Sequence, residues 1–146
     1  MIQFVGQPIF SISGELHGFE LFIRSIDHEK LVMPNDFSVF SLKQICDLLR
    51  QTIPCLPHGI QMLSINLDQR QFIDDRNIDI LADIQAQTKI QIGIELTERI
   101  GNGTTPVDII KLTKAAKQFC DAGISLCLDD VGTGQNTAQL VKALSP

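Results

Sequence analysis

A chain of 146 residues, 44% hydrophobic and 20% charged, is long and apolar enough for one domain with a real core, which argues against disorder. Its net charge of −5 argues against a nucleic-acid polymer as partner, since that role needs a basic face. It leaves room for a small phosphorylated ligand whose charge a metal ion offsets. No run approaches the roughly 18 apolar residues of a membrane span, and no cationic start with an apolar run and cleavage site opens the chain, so membrane insertion is not expected. Cys46, Cys55, Cys120 and Cys127 form no CxxC pair and read as reduced thiols of a cytoplasmic protein. His17, His28 and His58 lack zinc-ligand spacing.

Nothing in the composition splits the chain, so residues 1–146 read as a single domain. Residues 3–12 and 16–25 are expected to form two strands joined by a turn at Ser13-Gly14-Glu15. Pro34-Asn35-Asp36 is then expected to open a helix carrying Phe37, Phe40, Ile45, Leu48 and Leu49 on one face, ended by Pro54 and Pro57. A strand over 60–67 precedes a helix capped by Asp74 or Asp75 that runs to about Gln87. A strand over 90–97, a helix from about Val107 to Asp121 ending at Gly123, and a strand over 124–129 follow. A glycine turn and a short helix to Leu144 close the order. Apolar strands about 30 residues apart, alternating with helices, imply right-handed βαβ units and a parallel sheet.

Side chains alternate faces along a strand, so parity sorts them. Leu63, Ile65 and Leu67 lie opposite Met62, Ser64 and Asn66; Ile92, Ile94 and Leu96 lie opposite Gln91, Gly93 and Glu95; Leu126 and Leu128 lie opposite Ser125, Cys127 and Asp129. Each strand thus has an aliphatic face for helices and a small or polar face with one oxygen donor near its C-terminal end: Asn66, Glu95 and Asp129. Parallel strands bring those ends to one edge, where α/β folds bind ligands. Oxygen donors without His or Cys suit Mg²⁺ or Mn²⁺. Glu20, on the early strand, can add a fourth, and Arg24 on its face can meet a phosphate with a planar fork. Singly, such a carboxylate is ordinarily a helix cap or solvated charge, Asn66 a turn former and Arg24 a surface residue; agreement across three strands points to a site. Gly132-Thr133-Gly134 lacks the third glycine of a dinucleotide loop, Asp130-Val131-Gly132 is not an aspartic-protease triplet, and Gly101-Asn102-Gly103 supports a turn.

Four segments in order then resemble the EAL domain family of bacterial signalling proteins. Gln7-Pro8-Ile9 with Gly18-Phe19-Glu20-Leu21-Phe22-Ile23-Arg24 resembles its opening strand pair and signature segment. Ser64-Ile65-Asn66-Leu67 resembles its asparagine strand, Ile94-Glu95-Leu96-Thr97-Glu98 its second glutamate strand, and Leu128-Asp129-Asp130-Val131-Gly132-Thr133-Gly134 its double-aspartate turn. The resemblance implies an α/β fold: part of a TIM-type (βα) barrel, with parallel strands after an opening antiparallel pair. It implies Glu20, Asn66, Glu95, Asp129 and Asp130 as ligands to Mg²⁺ or Mn²⁺, with Glu20, Asp129 and Asp130 in catalysis and Gln7 and Arg24 on the substrate, cyclic di-GMP. Parity turns Glu98 away from Glu95 and makes it a poorer ligand. The family reaction opens one phosphodiester to give linear pGpG, metal-bound water attacking in line.

Two local departures are the Glu-Leu-Phe form of the signature, which keeps the ligand beside bulkier Leu21 and Phe22, and Val131 where the family carries phenylalanine. A full barrel of this type takes roughly 250 residues. This sequence reaches Ser145-Pro146 without the family's lysine strand and later acids, so slow or no hydrolysis is expected of it alone. A catalytically silent binding or protein-interaction module is the competing expectation, and a ligand-free α/β fragment a third. A half barrel with strand edges near Glu20 and Asp129 is expected to self-associate, most simply as a homodimer.

Overall fold

The computed structural model describes residues 1–28, 30–34, 39–97, 105, 107–128 and 138–144. Two long strands, β1 (Ile2–Phe10) and β2 (Leu16–Asp27), form an antiparallel hairpin. The turn between them uses Gly14 at φ +82°, a backbone conformation that costs glycine little. A three-residue strand β3 (Lys30–Val32) folds back along the end of β2. Three residues carry no usable period, so this strand does not show in the sequence.

Helix α1 runs from Leu42 to Thr52, several residues later than expected. The expected opening at Asn35 and Asp36, with Phe37, lies outside the described residues. Ser41 sets the observed start: its hydroxyl accepts from the Gln44 N–H while the Gln44 side chain accepts from the Ser41 N–H, a capping box. Leu42, Ile45, Cys46 and Leu49 form its buried stripe. Pro54 stands in the short 3₁₀ turn Ile53–Cys55 that follows, where its missing N–H costs no bond.

Strand β4 (Met62–Leu67) leads into the one-turn helix α2 (Gln69–Phe72), too short to show a period in the sequence and capped by Asp68 paired with Gln71. Helix α3 (Asp75–Gln87) starts at Asp74 as its N-cap. Strand β5 (Gln91–Leu96), helix α4 (Ile109–Asp121), strand β6 (Ser125–Leu128) and helix α5 (Ala138–Leu144) complete the described chain. Gly123, at φ +79°, turns α4 into β6.

The sheet order is β1-β2-β4-β5-β6, with β3 on β2; β2, β4, β5 and β6 are mutually parallel, each pairing with the next. Crossover helices between parallel neighbours, after an opening antiparallel hairpin, make the α/β architecture expected of part of a TIM-like barrel. The aliphatic faces fall as parity requires: Leu63, Ile65, Leu67, Ile92, Ile94 and Leu96 are all buried. Helices cover that face, and α2 and α4 meet through Phe72 and Phe119, whose ring centroids are 5.0 Å apart. Buried Gln69 ties the same two segments, its Oε1 accepting from the Val107 N–H at 3.1 Å. The opposite face of the sheet carries the polar residues, and their strands converge at the C-terminal edge.

Candidate functional site

Strand register assembles the site in rows. Gln7 of β1 stands directly across from Glu20 of β2, and Glu20 is level with Ser64 of β4, which is level with Gly93 of β5. Two residues further along, Asn66 is level with Glu95, and Glu95 with Cys127 of β6. Gln7, Glu20, Asn66 and Glu95 therefore share one face, as parity predicts. The carboxylates of Glu20 and Glu95 stand two strands apart, about 10 Å between strand axes, with β4 between them.

The hydrogen bonds do not follow the rows. Asn66 Nδ2 donates to Glu20 Oε1 at 3.0 Å, and Ser64 Oγ donates to Glu95 Oε1 at 2.6 Å. The central strand thus reaches diagonally both ways, giving each flanking carboxylate a neutral donor. Asn66, committed through its amide nitrogen, presents its carbonyl oxygen as a third hard donor. The donor chemistry fits a divalent cation that prefers oxygen. Among the described residues, no three His, Cys, Asp or Glu side chains converge as a metal cluster by themselves. Asp129 and Asp130, expected to complete the donor set, lie outside the described residues, as does Glu98.

Small residues keep the floor of this face low. A Cβ on Gly93 would lie 2.9 Å from the Met62 methyl, 3.2 Å from Ser125 Oγ and 3.5 Å from Ser64 Cβ. Gly93 thus lets Met62 lie across β5 beneath Glu95.

Arg24 is on the expected face but is folded back. It sits four residues beyond Glu20, about 13 Å along the strand. Its Nη1 donates to the Ile23 carbonyl at 2.9 Å, and its guanidinium lies 5.6 Å from the centre of the Phe22 ring. Reaching a ligand beside Glu20 requires the side chain to leave that ring. Ser64 is the residue whose part the sequence did not assign. The signal was present, since it has the parity of Asn66 two positions earlier.

The chain matches the EAL domain family over residues 2–146. The chain belongs to the EAL domain family. Among solved structures it is similar to the Bacillus subtilis YkuI protein, which has an EAL domain and was crystallised with substrate c-di-GMP and calcium: TM-score 0.74, 18% identity, 99% of this chain and 40% of that one. The EAL enzyme Bd1971, in a form bound to cAMP and cyclic di-GMP, aligns with TM-score 0.67 and 25% identity over 99% of this chain and 44% of that one. The Xanthomonas citri FimX EAL domain in complex with c-diGMP aligns with TM-score 0.65 and 17% identity over 99% of this chain and 61% of that one. The chain therefore spans about two fifths of the length of the first two. No curated protein matches the sequence.

Proposed function

We propose that this EAL domain serves bacterial second-messenger signalling by binding cyclic di-GMP with a divalent metal at the C-terminal edge of its parallel strands. The observation that carries the reading is the pair of diagonal hydrogen bonds from β4, Asn66 to Glu20 and Ser64 to Glu95, which orients two carboxylates on one polar face. Glu20, Asn66 and Glu95 would hold Mg²⁺ or Mn²⁺, with Asp129 and Asp130 as the remaining ligands. The bound metal would supply Lewis-acid polarisation of a phosphodiester oxygen and an activated water, the chemistry of hydrolysis to pGpG. Gln7, exposed beside Glu20, would meet the ligand through its amide. Arg24, swung off Phe22, would meet a phosphate oxygen.

The same reading puts the domain in the cytoplasm. In support, all four cysteines are free, and among the described residues no helix is long and apolar enough to cross a membrane. It also includes self-association as a homodimer.

The test is calorimetric titration of cyclic di-GMP into the 146-residue chain with and without Mn²⁺, beside chromatographic detection of pGpG. Metal-dependent binding lost in Glu95→Ala and Asn66→Ala supports the proposal. Absence of cyclic di-GMP binding even with Mn²⁺ present sinks it. Binding without pGpG identifies the silent binding module.

A further inference from the structure

Ser64 is 1% exposed and belongs to neither the hydrophobic core nor the donor set. A buried hydroxyl must spend its single proton somewhere, and strand serines commonly satisfy it on a nearby carbonyl oxygen. Ser64 instead reaches across to the next strand and two residues forward, to Oε1 of Glu95 at 2.6 Å. That is short, as expected for a hydroxyl donating to a charged carboxylate. Glu95 itself is half-buried on the strand beside it. The level neighbour of Glu95 on β4 is Asn66, whose amide nitrogen is already given to Glu20. The donor that fixes Glu95 from β4 is therefore Ser64.

The geometry points to Ser64 as a positioning residue for the metal site, setting the orientation of Glu95 and with it the preference among divalent cations. The inference rests on the proposed metal-binding role of Glu95. Hydrogen bonds behind a metal ligand characteristically tune affinity by one to two orders of magnitude without contacting the ion. They matter most for ions with strict geometry. Mg²⁺ demands near-ideal octahedral placement, whereas Ca²⁺ accepts variable coordination.

The experiment is direct titration of Mn²⁺, Mg²⁺ and Ca²⁺ into the parent chain and into Ser64→Ala, Ser64→Thr and Glu95→Gln, with thermal unfolding of each apo protein. Ser64→Ala should lose on the order of tenfold in Mn²⁺ and Mg²⁺ affinity, much less for Ca²⁺, with little change in melting. Ser64→Thr, which keeps the hydroxyl, should recover most of the loss. If Ser64→Ala does not fold, Ser64→Cys, close in size and a weak donor, carries the comparison. Unchanged Mn²⁺ affinity in the variant overturns the inference while leaving the metal site standing. An equal loss for all three ions with a lower melting temperature also overturns it, because that is the mark of a merely structural serine. No metal uptake by the parent chain, or uptake indifferent to Glu95→Gln, removes the metal reading and this inference together.

Discussion

Cys46 and the strand glycines Gly18 and Gly93 show how much a single position is set by what surrounds it. Cys46 is fully buried in the α1 stripe, and burial pushes its thiol up to about 12, against the smaller opposing pull of Arg50. At pH 8 it has almost no thiolate and no access, while Cys55, Cys120 and Cys127 are exposed. Iodoacetamide should therefore label those three in the folded protein and Cys46 only after unfolding, as peptide mass spectrometry would report; Cys46 reacting as fast as Cys120 would contradict the packing. Gly18 and Gly93 contrast in the same way. A Cβ on Gly18 would run into the Met62 backbone carbonyl, whereas one on Gly93 meets chiefly a mobile Met62 methyl. Gly18→Ala should cost about 1–3 kcal/mol in urea unfolding, and Gly93→Ala distinctly less. At this scale the sequence was partly legible. Period-two alternation placed Glu20, Asn66 and Glu95 on one face, because a strand has only two faces to choose from. It could not reveal that Asn66 and Ser64 lean along opposite diagonals, or that Arg24 folds onto Phe22, because those depend on rotamers and neighbours.

Elements are bounded by their caps more than by their hydrophobic stripes. The expected helix from residue 34 began instead at Leu42, because Ser41 and Gln44 satisfy each other's backbone N–H groups there. The Ser-x-x-Gln spacing was present in the sequence, but Pro34-Asn35-Asp36 offered a second plausible start, and stripe periodicity does not choose between starts. Ser41→Ala should cost about 1 kcal/mol, lowering the melting temperature by a few degrees in calorimetry. An unchanged melting temperature would mean the first turn is held by packing alone. For α3 the sequence leaves Asp74 and Asp75 as alternative caps, and the structure selects Asp74, its side chain accepting from the Arg76 N–H. The Arg76 guanidinium also holds the Asp74 carboxyl below its ordinary pKa. That cap therefore keeps its charge down to acidic pH. Its contribution is present above the unfolded carboxylate value and is lost as pH falls through the lower folded one. The strand β3 and helix α2 went unread because elements of three and four residues show no period; α2 nonetheless matters, since Phe72 and Gln69 anchor it to the α4 segment.

For the molecule as a whole, the open question is what meets the sheet at its borders, which among the described residues are β1 and β6. Along an antiparallel pair, residues alternate between bonding their partner strand and turning their N–H and C=O groups outward. The Ile26 N–H bonds the Met1 carbonyl, so in this register Gln3, Val5, Gln7 and Ile9 bond β2. Ile2, Phe4 and Gly6 then turn N–H and C=O groups outward, while Pro8 offers only its carbonyl. Charges usually guard such a border, yet residues 2–10 contain none. Val5 is 37% exposed and Phe10 59%. Hiding a few hundred Å² of such surface favours association by several kcal/mol at about 25 cal/mol per Å². A twofold pairing of β1 with β1 of a second copy is the simplest contact that uses these groups, because each strand meets its own complement in the antiparallel sense. Residues 1–146 should therefore self-associate, their light-scattering mass rising with concentration toward twice 16.2 kDa. Val5→Lys would set like charges near one another across that twofold and should hold the chain monomeric. If the parent stays a compact monomer at high micromolar concentration, the β1 border is covered from within and this pairing is wrong. If the variant dimerises as readily as the parent, the contact lies elsewhere, with β6 and exposed Cys127 the next surface to probe.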